Sequence, residues 1–75
     1  MPELRSVSGQ EAIKALERLG FRRVRQRGSH VILKKSTPAG DVGCVVPLHK
    51  QLKLGTLHGI LKLAKVEVEE FVRNL

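Results

Sequence analysis

The sequence predicts a small α+β fold in the order α-β-β-β-α(-α), a three-stranded antiparallel sheet with its helices packed on one face. Three observations predict it. Ser8-Gly9-Gln10-Glu11 is a helix start signal opening an apolar stripe at helical spacing. Three short segments divided by Gly- and Pro-containing turns follow it, and a second helical stripe closes the chain. A meander of this kind buries one sheet face and leaves the other wet.

The first helix is expected from Gly9 to Leu19, with Ser8 as N-cap, Glu11 reaching back to it, and Ala12, Ile13, Leu16 and Leu19 on its buried side. Gly20 takes the position after the helix, and Phe21 folds back onto it. Arg22–Arg27 forms a polar first strand ended by a tight turn at Gly28-Ser29. His30–Lys35 forms the second around Val31, Ile32 and Leu33. Alternation puts His30, Ile32 and Lys34 on one face and Val31 and Leu33 on the other. With Val31 and Leu33 against the helices, Ile32 is an apolar residue on an open face, which points to a protein partner there. Ser36–Asp41 is expected to be a flexible hairpin loop, and Val42–Val46 the third strand, ended by Pro47. Leu48–Leu54 is a basic connector to a second helix starting near Gly55-Thr56, whose buried stripe is Leu57, Ile60, Leu61 and Ala64. A last helix, Glu67–Arg73, has Glu69 and Glu70 in its first turns, where the helix dipole favours them, and Val68, Phe71 and Val72 on its apolar side.

With 75 residues the chain is expected to be one domain, 1–75, with a thin stability margin. Phe21 and Phe71 are its only aromatics, which argues against a single-strand reader built on stacked rings. Cys44 stands alone, so no intramolecular disulfide or cysteine-based metal site is expected; inside a strand it reads as a small core residue. No segment approaches a membrane span and no signal-peptide core opens the chain, so a cytoplasmic location is the default expectation. The net charge of +7 implies an anionic partner.

The richest stretch is Val24-Arg25-Gln26-Arg27-Gly28-Ser29-His30. It sets a histidine, which can accept or donate a proton near neutral pH, directly after a turn flanked by arginines suited to phosphate. Cleaving RNA without a metal requires the ribose 2′-OH to lose a proton, the leaving 5′-oxygen to gain one, and the phosphorane charge to be neutralised. His30 is a candidate acid or base, with Arg25, Arg27, Lys34 or Lys35 as charge partners. The bland alternative is a histidine that only hydrogen-bonds its turn. His30, His49 and His58 show no metal-ligand spacing and no carboxylate cluster accompanies them, so neither metal nor cofactor is expected. The connector residues His49, Lys50 and Lys53 precede a helix N-terminus. They form either a phosphate site or a solvated loop, and His49 becomes a candidate second acid–base group if the connector returns to the His30 side. Gly9 and Gly28 read as backbone positions, Gly28 allowing positive φ in its turn.

Taken in order, Ser8-Gly9, Gly20-Phe21, Val24-Arg25-Gln26, Gly28-Ser29-His30, Pro47-Leu48-His49, Gly55-Thr56-Leu57 and Ile60-Leu61 resemble the pattern of the HicA (YcfA-like) toxins, over about Ser6 to Phe71. The resemblance implies a fold similar to the double-stranded-RNA-binding domain. It also implies an mRNA interferase, a metal-independent endoribonuclease whose catalytic histidine is that of Gly-Ser-His, here His30. A HicB-like antitoxin covering the active face is the implied protein partner. Charge and position, which the family pattern does not fix residue by residue, assign Arg25, Arg27, Lys34, Lys35, Lys50 and Lys53 to RNA, with Gly28 and Ser29 supporting the site. Two residues depart from the pattern: Lys65 stands where the family has a glycine, and Glu67 where it has a capping Ser or Thr, so the last helix is capped differently or frays. The alternative is a non-catalytic double-stranded-RNA-binding module, or an inactive toxin homologue acting through antitoxin binding.

Overall fold

The computed structural model describes residues 3–75. Its elements are α1 (Gly9–Arg18), β1 (Arg22–Arg27), β2 (His30–Thr37), β3 (Gly40–Pro47), α2 (Leu54–Ala64) and α3 (Val68–Arg73). The strands form one antiparallel sheet in the order β1-β2-β3, as the turn and alternation signals predict. Both halves of the capping box at α1 are present, the Ser8 hydroxyl accepting from the Glu11 N–H and the Glu11 carboxylate accepting from the Ser8 N–H. The bond from Ser8 holds the Glu11 carboxyl below its usual range. Gly20 follows the helix at φ +102°, and Phe21 returns its N–H to Leu16 O at 3.0 Å.

One apolar core joins helices and sheet. Ile13 and Leu16 of α1, Val31 and Leu33 of β2, Val46 of β3, Leu57 of α2 and Phe71 of α3 are among its largest fully enclosed members. Leu52, in the connector before α2, is enclosed with them. Cys44 is buried there as well, and its desolvation raises the thiol pKa from 9.0 to about 11. Among the described residues no helix covers the opposite sheet face.

One expectation about β2 and β3 is corrected. Ser36–Asp41 is not a flexible loop: both strands run on to Thr37 and Gly40, leaving only Pro38-Ala39 as the turn. Pro38 supplies a fixed φ there, Gly40 adopts φ +118°, and the Thr37 hydroxyl donates to Gly40 O. Helix α2 starts at Leu54, one residue before the Gly-Thr pair, with Lys53 as N-cap and no side-chain cap bond. At its end Lys65 takes the left-handed conformation itself (φ 56°, ψ 41°), with Lys65 N–H bonded to Lys62 O and Val66 N–H to Leu61 O. This is a glycine-type helix stop made with a lysine. Glu67 begins α3 without a side-chain cap, yet the helix forms because Phe71 is driven into the core and Arg18 Nη1 donates to Asn74 O at 2.6 Å.

Candidate nucleic-acid interface

Residues directly opposite each other in neighbouring strands point to the same sheet face. The register therefore arranges the open face in three rows: Arg27–His30–Pro47, Arg25–Ile32–Val45 and Arg22–Lys34–Gly43. His30 lies in the central strand with Arg27 directly beside it, and Arg25 stands one row away. Lys34 shares the face. Ile32 and Val45 form an apolar centre within this basic surround, Val45 being 43 % exposed.

A β-bulge makes this arrangement possible. Phe21 is buried, so strict alternation from it would send Arg23, Arg25 and Arg27 toward the core side. The ladder instead slips between Arg23 and Arg25, with Val24 as the extra residue. Arg23 stays on the helix side, 3.7 Å from the Glu17 carboxylate of α1, and Arg25 and Arg27 turn outward with His30. Arg22, ahead of the slip, reaches the open face by plain alternation from Phe21. That it shares a face with Arg25 and Arg27 escapes a reading by a period of two, because positions 22 and 25 come together only across the bulge.

The turn before His30 is held without it. Gly28 adopts φ +58° at the first central position, and Gln26 Nε2 donates to Gly28 O at 3.0 Å. Among the described residues the exposed His30 ring has no hydrogen-bond partner. The bland reading, a histidine spent on its own turn, has no support, since Gln26 does that work.

The connector returns to this end of the sheet. Leu48 N–H donates to Ser29 O at 2.7 Å, Gly9 N–H to His49 O at 2.9 Å, and Leu52 N–H to Val7 O at 2.7 Å. Gly9 is required for that path: a β-carbon on it would stand 2.0 Å from Pro47 O. The Gly28-Ser29 turn, the connector and the start of α1 thus meet along one edge. His49 lies two residues past Pro47, the cross-strand partner of His30, and is exposed. With Ser8, Gln10, Leu48 and Lys50 it lines an open depression of about 300 Å³. Lys53 is exposed at the start of α2, whose first turn carries no acidic residue.

Lys35 stands apart from the other predicted phosphate ligands. Its parity is that of Val31 and Leu33, and its ammonium lies 5.8 Å from the centre of the Phe21 ring. It borders a cavity of about 210 Å³ with Phe21, Thr37, Val42 and Val66, at the end of β2 away from His30. Among the described residues the one ion pair is Arg23–Glu17, so the arginines and lysine of the open face have no carboxylate partner. No group of three or more metal-ligating side chains occurs among these residues, and no helix is long and apolar enough to cross a membrane.

Comparison with known proteins adds a family to this geometry. Residues 9–66 match the family described as the HicA toxin of bacterial toxin–antitoxin systems. Among curated proteins none matches. The matched span runs from the glycine that seats α1 on the connector to the end of the α2 stop, and it contains both the His30 turn and His49. The chain belongs to the HicA toxin family, which makes it the toxin side of a toxin–antitoxin pair with an antitoxin as its partner.

Proposed function

We propose that this toxin is a metal-independent endoribonuclease that cuts messenger RNA in the cytoplasm, with His30 as its principal proton-transfer group. The observation that carries the reading is the state of His30. It is exposed, free of hydrogen bonds among the described residues, and set beside Arg27 on a face of unpaired cations. RNA laid across this face meets Arg25, Arg27 and Lys34 with its phosphates. Lys50 and Lys53 extend the contact along the connector edge, with Gly28 and Ser29 shaping the turn between. Lys35 is left a supporting part at most, because it lies over Phe21 on the other side of the sheet.

In the reaction the ribose 2′-oxygen attacks the adjacent phosphorus and loses its proton. The bond from phosphorus to the 5′-oxygen breaks, and that oxygen takes up a proton. His30 serves one of these transfers, and a positioned histidine contributes roughly 10²–10⁴ in rate. His49, brought to the same edge by the Leu48–Ser29 and Gly9–His49 bonds, is the candidate for the other. Arg27 and Arg25 neutralise the charge that builds on the phosphorane. The same face suits an antitoxin, since Ile32 and Val45 offer an apolar contact inside a ring of cations.

The test is incubation of a defined RNA with the protein in EDTA, followed by mapping of the product ends. The expected products carry a 2′,3′-cyclic phosphate and a 5′-hydroxyl, and one 2′-deoxy substitution at the cleaved position abolishes the cut. RNA that binds with salt-dependent affinity and stays intact would leave a binding module instead.

A further inference from the structure

We propose that the outer edge of β3 is a self-association surface, on which a second copy of this chain pairs strand to antiparallel strand about a twofold axis at Val42. The two sheet edges differ sharply. Strand β1 carries Arg22, Arg23, Arg25 and Arg27 and a bulge, two devices that keep another strand away. Strand β3 has neither: its ladder to β2 is regular from Gly40 to Pro47, and Asp41 is its single charged residue.

The direction of its backbone groups follows from the ladder. Leu48 N–H bonds Ser29 O, so Val42, Cys44 and Val46 also face β2, while the N–H and C=O groups of Asp41, Gly43 and Val45 point outward. Among the described residues no backbone bond reaches them. Beyond Val45 the edge closes, because Pro47 lacks an N–H and its carbonyl packs against Gly9. The free stretch is therefore Asp41–Val45.

Its charges select the register. Lys34 stands opposite Gly43 on the open face, its Cγ 3.5 Å from where a Gly43 β-carbon would be. With the axis at Val42, Asp41 of one copy pairs with Gly43 of the other. The missing side chain leaves room for that carboxylate to reach the Lys34 ammonium across the glycine. Symmetry repeats the ion pair, and each of the two Asp41–Gly43 pairs exchanges two backbone bonds. The contact joins two sheets into one of six strands and leaves the His30 rows at its far ends. A patch this small between copies of net charge +7 associates weakly.

Sedimentation and amide exchange of the intact chain across a concentration series test this. At low concentration the amides of Asp41, Gly43 and Val45 should exchange freely while those of Val42, Cys44 and Val46 are protected. As the mass rises from 8.3 kDa toward twice that value, the amides of Asp41 and Gly43 should become protected, while that of Val45, which falls opposite Ala39 of the turn in this register, stays free. Asp41→Lys should weaken association by on the order of tenfold, since both symmetric contacts become like-charged, and the exchanged pair Asp41→Lys with Lys34→Asp should restore it. A mass that stays monomeric to about 1 mM overturns the proposal. So does association that leaves the amides of Asp41 and Gly43 unprotected or ignores Asp41→Lys. Protection of those amides only by a different protein would assign the edge to that partner and equally overturn it.

Discussion

Replacing Gly9 by alanine adds one methyl group to the first residue of α1, in a place where none fits. Its β-carbon would stand 2.0 Å from Pro47 O and 3.0 Å from Leu48 Cα, both backbone atoms held by the sheet. Relief requires more than an ångström of movement between α1 and the connector. Overpacking of this sort costs about 1–3 kcal/mol. The displacement also strains or breaks the Gly9 N–H to His49 O bond, leaving a buried donor unsatisfied at about 1–3 kcal/mol. The expected loss is roughly 3–5 kcal/mol, against a total of about 4–11 kcal/mol for a domain of this length. The same substitution at Gly59, in the middle of α2, meets nothing within 4 Å and should stabilise by about 1 kcal/mol through helix propensity. Urea unfolding followed by far-UV circular dichroism measures both, the chain having no Trp or Tyr for fluorescence. A Gly9→Ala variant within about 1 kcal/mol of the parent would refute the close-approach argument.

Three further outcomes follow from particular residues. Deleting Val24 removes the bulge, so either Phe21 leaves the core or Arg25 and Arg27 turn inward. Urea titration should show a loss of about 3 kcal/mol or more, whereas Val24→Ala, at a 42 % exposed position, should cost less than about 1 kcal/mol. Lys65→Gly relieves a left-handed lysine and should raise stability by roughly 0.5–1 kcal/mol in the same assay; a loss would contradict the strain. Burial raises the Cys44 thiol from 9.0 to about 11, so the contribution of the neutral thiol to stability is complete below pH 9 and is lost as pH rises through about 11. Alkylation of the native protein at pH 8 should be slow and should accelerate on unfolding; rapid native labelling would show that the thiol is not enclosed.

Much of the architecture is legible from local signals. The capping box starts α1 where the sequence places it. The Val31-Ile32-Leu33 run sets which face of β2 is buried, and hence that His30 and Lys34 face outward. What stays hidden depends on contacts distant in sequence. The Val24 bulge is invisible to a period of two, because it reconciles a buried Phe21 with outward arginines. Gly9 reads as a helix-opening residue until β3 is seen to end against it. The Pro38-Ala39 turn looks like a longer loop because Ser, Thr and Asp around it are turn formers as well as strand-tolerant residues. The departure at Lys65 resolves without fraying, since core burial of Phe71 outweighs a left-handed lysine. At the candidate site, the spacing brings Arg25, Arg27 and His30 into one reading. The connector joins them only through its hydrogen bonds to Ser29 and Gly9.

The central claim is that His30 moves a proton and does not merely help to hold RNA. The direct measurement is the single-turnover cleavage rate of His30→Ala against the parent protein, in EDTA, with RNA affinity measured on the same preparations. The expected outcome is a native fold, affinity within about twofold, and a rate lower by roughly 10²–10⁴. A variant that cuts at the parental rate, or one whose lost cleavage is fully explained by lost binding, would contradict it.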